Sequence, residues 1–360
     1  MQLAVDLTRS IPPVPEGLGK ALQEALAVLA SREDSSAAFR TSSAGGTEAD
    51  RVAGSKWLAP RFGETVPADR VLLTNGTQSA MLMLLKHVMR PGQVLVTERL
   101  SYGVLRDVAA LAGVPMIGAD IDHDGLVPES VELICRSHVV GALYCNPTFH
   151  NPTTSIMSEA RRSKLAAVSR RHGFSILEDD PIGRLFQGLA RPIAALAPDT
   201  TWHICGLTKC IAQGMRLAYV VAPTAEHAAR FTTAHFRLSN WVSAPVMGAL
   251  ATQLINSGVA ERIAAAIADE CLAREAIARE ALAKHPIWTQ RGSLHVWVPV
   301  HGHDQHELTQ EAASAGVLVR PAAMFAVDAQ PVPDAIRLSL SSPLVRSDVE
   351  RGVRAFAQLL

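Results

Sequence analysis

The chain has 360 residues, 48% hydrophobic and 19% charged, a balance that excludes a predominantly disordered protein and leaves room for two domains or one large one. Lysine plus arginine and aspartate plus glutamate both number 34, so no global field draws the chain to nucleic acid or an anionic membrane, and any anion site must be local. No apolar run reaches the roughly 18 residues of a membrane-spanning helix, and the opening MQLAVDLTRS lacks the basic and apolar regions of a secretory leader. A cytoplasmic location is expected. The five cysteines, Cys135, Cys145, Cys205, Cys210 and Cys271, form no C-x-x-C pair and sit in apolar context, which reads as buried thiols in a reducing compartment.

The N-terminal segment carries the stretch Pro12-Pro13-Val14-Pro15. From 71 to 223, short apolar runs alternate with helical patterns: VLLT then TQSAMLMLLKHVM, QVLVTE then SYGVLRDVAALAG, PMIGAD, VVGALYC, SEARRSKLAAVSRRHG then FSILED, TWHIC and LAYVVA. Strands that are apolar on both faces and separated by helices predict an α/β sheet covered on both sides. Residues 259–285 read as one long helix, with alanine, leucine and isoleucine recurring every three or four positions. After it, SLHVWVPV, HELTQEAASAG, VLVR, AIRLSL and SDVERGVRAFAQLL predict a smaller α+β unit. The expected division is a large domain over 45–258 and a small one made of 1–44 and 259–360.

Three segments carry chemistry. Thr74-Asn75-Gly76-Thr77-Gln78-Ser79 lies where a strand ends and an apolar helix begins, so its backbone N–H groups and side chains suit either an ordinary helix cap or a phosphate. Phe174-Ser175-Ile176-Leu177-Glu178-Asp179-Asp180-Pro181 delivers three acids at the C-terminal end of a strand, where open α/β sheets bind ligands. Such acids repel one another unless a cation or a protonated ring faces them; a loop cap, a salt bridge and a metal site are the other readings. Gly206-Leu207-Thr208-Lys209-Cys210-Ile211 places a lysine among small and apolar residues just past a strand. If buried, its pKa falls and its amine becomes a nucleophile toward carbonyls; a surface lysine is the alternative. Together the three segments point to a phosphorylated cofactor that bears a carbonyl.

These segments, with DLTRSIPPVP, RLSY, LYCNPTFHNPT, LTKCIAQGMRLAYVVAP, AGVLVRP and IRLSLSS, occur in an order and spacing that resembles the pyridoxal 5′-phosphate enzymes of fold type I. This is the aspartate aminotransferase superfamily; the similarity is strongest to the group of 2-aminoadipate and kynurenine aminotransferases and the C-terminal domains of MocR-type regulators. The resemblance spans nearly the whole chain. It implies a large domain with a mainly parallel seven-stranded sheet between helices, a smaller α+β domain, and a homodimer. It also implies that Lys209 joins the cofactor as a Schiff base and shuttles the proton at the substrate's Cα. Asp179, with Asp180 as the fallback, would face the pyridine nitrogen and keep it protonated. Asn151 would bond the 3′ oxygen, Tyr102 would stack on the ring, and Thr77, Gln78 and Arg216 would hold the phosphate. Arg337 would clamp the α-carboxylate with its planar guanidinium, with Asn151 beside the substrate. The reaction implied is amino transfer between an L-amino acid and a 2-oxo acid.

Three positions depart from the family pattern. Ile182 stands where a tyrosine bonds the 3′ oxygen, Gly206 stands where a serine holds the phosphate, and Arg40 or Thr41 falls where a tyrosine reaches the neighbouring subunit's phosphate. The departures leave open other chemistry on the same cofactor, namely cyclisation, elimination, decarboxylation or oxidation. A non-catalytic effector-binding module, as in MocR regulators, is a further reading, although the first 70 or so residues show no winged-helix pattern or basic cluster. His301, His303 and His306 read as a solvated turn rather than a metal site, and Trp57, Trp202, Trp241, Trp288 and Trp297 as packing residues.

Overall fold

The computed structural model describes residues 4–32, 36, 40, 43–239 and 241–360. The chain enters through strand β1 (Val5–Asp6) and helices α1 (Leu18–Ala30) and α2 (Glu48–Phe62). Helix α2 starts on a reciprocal cap: the Asp50 amide donates to the Thr47 hydroxyl and the Asp50 carboxylate accepts from the Thr47 amide. A central sheet follows, built from β2 (Val71–Thr74), β3 (Val94–Glu98), β4 (Met116–Ala119), β7 (Val140–Cys145), β8 (Ser175–Asp179), β9 (Thr201–Gly206) and β10 (Ala218–Val221). Between them lies the short hairpin of β5 (Ile121–Asp122) and β6 (Gly125–Leu126).

The order across the sheet is β2-β10-β9-β8-β7-β3-β4, with β10 antiparallel to both neighbours and every other pair parallel. Alternate residues feed opposite faces. Leu72, Tyr144 and Val220 point to the side covered by α3 (Gly76–Val88), α4 (Val104–Ala112) and α8 (Ala225–His235). Leu73, Cys205 and Tyr219 point to the opposite side, against α2, α9 (Pro245–Asn256) and α10 (Val259–Ala281). On that same side Leu143 and Ile176 pack on α5 (Pro128–Ser137), α6 (Glu159–His172) and the short α7 (Ile193–Leu196). Double coverage explains why these strands are apolar throughout.

Helix α10 ends at Ala281, short of the expected 285. Tight turns from Ala283 to the Glu280 carbonyl and from His285 to the Leu282 carbonyl close it. Pro286 excludes helical geometry from the residue before it. Beyond lie β11 (His295–Pro299), α11 (Gln305–Ser314), β12 (Val317–Leu318), β13 (Arg320–Pro321), β14 (Ala335–Ser339) and α12 (Arg346–Ala357). Strands β11-β14-β13 form an antiparallel sheet and β12 pairs in parallel with β1. Val5 and Leu7 share a core with Ala278, Val296, Leu308, Ile336 and Phe356, so the N-terminal segment is locked onto the C-terminal unit.

All five cysteines are free thiols; four are buried and Cys135 is half-buried. Four tryptophans are buried, but Trp288 is 37% exposed. Its backbone bridges that of Trp297 and its ring meets the edge of His123, at the surface rather than in the core. Among the described residues no helix is long and apolar enough to cross a membrane.

Candidate active site

A cavity of about 550 Å³ opens at the C-terminal ends of the central strands, walled on its other side by residues 8–11 and the β11-β14-β13 sheet. Strand β8 brings three acids there, and each takes a different partner. Glu178 turns away from the cavity, accepting from the amides of Ile193 and Ala194 and facing Arg162 and His203. Burial would raise its pKa, but the His203 bond and the Arg162 charge outweigh it and hold the group at about 2. Asp180 pairs with buried Arg61 at 2.7 Å and caps the Gly183 amide, so it is committed to the fold. Asp179 lines the cavity. Its Oδ2 accepts from the Tyr144 hydroxyl at 2.7 Å, and its Oδ1 is buried without a partner. Burial pushes its pKa up to about 6, and the Tyr144 bond opposes that rise.

Lys209 follows β9, the parallel neighbour of β8, and lines the same cavity. Burial, then the charges of Arg337, Arg9 and Arg216, bring its pKa down to about 8. It has no carboxylate partner among the described residues. Arg337, on β14, is buried; its Nη1 donates to Asn151 Oδ1 at 2.8 Å, its Nη2 donates to the Thr8 carbonyl, and its Nε lacks a partner. Phe325 lies under the guanidinium, 4.9 Å from ring centroid to Cζ. Burial, then Arg320, lowers the Arg337 pKa to about 9.

The Asn151 loop is fixed by a chain of polar contacts. The Asn151 amide donates to Asn146 Oδ1 at 2.9 Å, and Asn146 Nδ2 donates to the Asp179 carbonyl at 2.7 Å. The Asn146 amide in turn donates to Glu98 Oε1, a buried carboxyl whose pKa burial raises to about 7. Arg337, Asn151, Asn146 and Asp179 are thereby held in one frame.

Of the residues singled out in the sequence, Thr77, Tyr102, Asn151, Asp179, Lys209 and Arg337 all line the cavity. Gln78 and Arg216 do not. Gln78 Nε2 donates to the Tyr102 hydroxyl at 3.1 Å, and the Arg216 backbone runs beside Gly76, at the start of α3, while its side chain is exposed. Arg40 is exposed and outside the lining; Thr41 lies outside the described residues.

Two of the departures have a packing basis. A Cβ at Gly206 would stand 2.7 Å from Thr77 Cγ2, so the threonine methyl occupies the room a serine would need. Ile182 lines the cavity, 2% exposed, as part of an apolar cluster with Phe149, Leu207 and Leu294. His301 and His303 sit in a turn and His306 opens α11, which Asp304 caps. Sequence reasoning missed Tyr144, whose place in the all-apolar run VGALYC disguised it as a packing residue. It also missed Arg9, Arg320 and His295, which line the cavity. The signal for Arg320 was present, since VLVR and AIRLSL each carry one arginine in an apolar strand.

The family model for aminotransferase class I and II matches residues 5–356. The chain belongs to that family. An uncharacterized HTH-type transcriptional regulator, YdeF of Bacillus subtilis, is 28% identical over 84% of this chain and 65% of its own length. The aromatic amino acid aminotransferase C1773.13 of Schizosaccharomyces pombe is 30% identical over 42% of this chain and 37% of its own. This aminotransferase-family chain therefore spans less than two thirds of the length of these curated relatives. The crystal structure of the Pyrococcus horikoshii kynurenine aminotransferase, solved with PMP, superposes with a TM-score of 0.90 at 20% identity, covering 100% of this chain and 91% of that one. The fold is fold type I, and the family's cofactor is pyridoxal 5′-phosphate. The residues present fit that group: the orphaned Asp179 Oδ1 suits a ring N–H, and Lys209 offers a desolvated amine.

Proposed function

We propose that this chain is an aminotransferase that moves an amino group between an L-amino acid and a 2-oxo acid. The observation that carries this reading is that one cavity gathers a lysine with lowered pKa, a buried carboxylate with a free oxygen, and a buried arginine with a free Nε. Pyridoxal phosphate, when bound, supplies an aldehyde that carries the amino group and a ring that accepts electron density from Cα.

The chain's own residues do the rest. Asp179 holds a proton on the ring nitrogen, and Tyr144 holds Asp179. Arg337 receives the α-carboxylate through its unpartnered Nε and the rest of its fork, a planar match that fixes which Cα bond faces the reacting atoms. Lys209, whose pKa of about 8 leaves a far larger fraction as free amine at neutral pH than an ordinary lysine, would bond the cofactor and move the proton at the substrate's Cα. Asn151, held by Arg337, would serve the 3′ oxygen, Tyr102 would face the ring, and Thr77 at the α3 N-terminus would hold the phosphate; Gln78 and Arg216, which lie outside the cavity lining, would have to turn inward to join it. Ile182, an apolar side chain, would offer the 3′ oxygen no donor, which would alter the cofactor's tuning more than the proton transfer. A homodimer belongs to the same reading, and sedimentation at micromolar concentration tests it.

The assay adds amino acids class by class and follows conversion of the cofactor from its aldehyde to its amine form, then its return on adding a 2-oxo acid. Regeneration of the aldehyde form with release of another product rejects amino transfer in favour of another reaction on the same cofactor. The regulator-named YdeF supports a second reading, an effector-binding module. Amino-acid binding with no conversion in either direction selects it.

A further inference from the structure

Glu98 at the end of β3, Glu178 and Asp179 at the end of β8, and Asp180 just beyond it are buried carboxyls at one edge of the central sheet. Two of them are matched by cations: Glu178 by Arg162 and His203, Asp180 by Arg61. Glu98 and Asp179 are not. Asp179 meets the ring nitrogen in the reading above, which leaves Glu98 as a buried acid for which neither the fold nor the chemistry supplies a counter-charge.

Every donor that Glu98 meets among the described residues is neutral. The Asn146 amide donates to its Oε1 at 2.8 Å, and the Thr97 and Ser101 hydroxyls donate to its Oε2 at 3.0 and 3.4 Å. The ionisable groups on which its charge acts are acids as well, Tyr144 and Cys145 on β7 and Asp179 on β8. A buried carboxylate among neutral donors is costly, and such a group takes up a proton instead. Burial accordingly raises the Glu98 pKa to about 7, against the pull of its hydrogen bonds. A glutamine would cap the Asn146 amide without that cost, so an acceptor alone does not account for the acid.

Asn146 joins the two unmatched carboxyls. Its amide donates to Glu98 and its Nδ2 donates to the Asp179 carbonyl at 2.7 Å, while Tyr144, two residues earlier, donates to Asp179 Oδ2. The Glu98 charge is also among the causes that raise the Asp179 pKa. Two acids coupled in this way resist ionising together, and their protons belong to the pair.

We propose that Glu98 and Asp179 work as a coupled pair in cofactor loading: Glu98 holds a proton while Asp179 is an unmatched anion, and gives it up to solvent when a protonated ring nitrogen matches Asp179. Glu98 lies outside the cavity lining, so it is a positioning residue that acts through Asp179 and Asn146 without touching the cofactor. The inference rests on the reading that Asp179 receives that nitrogen.

The test is calorimetric titration of the cofactor-free protein with pyridoxal phosphate in buffers of different ionisation enthalpy, which counts the protons released on binding. At about pH 7 Glu98 is half protonated, so the native protein releases about half a proton more per chain than Glu98→Gln. At about pH 9 the difference vanishes, because Glu98 is already ionised before loading. It vanishes too when Glu98→Gln is introduced into Asp179→Asn, a dependence that a merely structural role would not produce. If Glu98→Gln does not fold, infrared difference spectra of the native protein serve: a protonated-carboxyl band present at neutral pH is lost on loading. Equal proton counts in the native protein and Glu98→Gln, a difference that survives Asp179→Asn, or an infrared band that loading leaves in place overturns the pair. Saturable uptake with equal counts refutes the pair alone, whereas no uptake of pyridoxal phosphate refutes the aminotransferase reading and the pair with it.

Discussion

Replacing Tyr144 with phenylalanine isolates one hydrogen bond. The ring is fully buried and stays, so packing is preserved, and only the 2.7 Å donor to Asp179 Oδ2 is lost. A hydrogen bond to an ionised group is worth roughly 1.5–3 kcal/mol. One pKa unit corresponds to about 1.36 kcal/mol, so the Asp179 pKa should climb by roughly one to two units. It starts at about 6. Asp179 must be ionised to hold a proton on the ring nitrogen, so affinity for pyridoxal phosphate falls as pH drops through its pKa. The assay is the affinity of cofactor-free protein for pyridoxal phosphate between pH 5 and 9. In the native protein the acid limb lies near pH 6; in Tyr144→Phe it moves up by roughly one to two units, and in Asp179→Asn it disappears. A limb at the same pH in Tyr144→Phe, in protein that melts normally, would refute the reasoning.

Gly206→Ser puts a Cβ 2.7 Å from Thr77 Cγ2, so it should displace Thr77 and weaken cofactor affinity despite restoring the family's serine; tighter binding would show that Thr77 yields freely. Cofactor uptake should quicken as pH rises and level off above about 8, where Lys209 loses its proton, and stopped-flow absorbance reads this; a rise continuing past pH 10 would mean an unperturbed lysine. Glu178 has its folded pKa depressed to about 2 from 4.5, so its stabilisation is complete above pH 4.5 and lost as pH falls toward 2. By linkage this amounts to about 3 kcal/mol. Denaturant unfolding of Glu178→Gln should show lower stability at pH 7 and a shallower loss in acid, and an unchanged acid slope would contradict the assignment.

The seven strands of the central sheet were legible because burial on both faces forces apolar runs such as VLLT and LAYVVA, which composition and periodicity detect directly. Helices α1, α2, α5, α8 and α9 were not assigned. Helix α2 carries Pro60 and has Arg61 buried against Asp180, a tertiary contact that a local pattern cannot show. Lys209, Asp179 and Arg337 were legible as polar residues placed at costly positions in apolar strands and turns. Tyr144 was not, because an aromatic in a strand reads as packing until a carboxylate is seen beside its hydroxyl. Gly206 read as a lost phosphate ligand, and only the Thr77 methyl reveals that the glycine is a steric requirement. Arg9 escaped notice because nothing in DLTRSIPP signals that the segment lies across a cavity formed by strands some 300 residues away in sequence.

The central claim is that Lys209 is the residue that bonds the cofactor. Incubation with pyridoxal phosphate, reduction with borohydride and peptide mapping by mass spectrometry test it in one step. The account predicts a visible or near-ultraviolet band that reduction abolishes, with the label on the peptide containing Lys209. Label on another lysine, or a protein that takes up no pyridoxal phosphate, would contradict it.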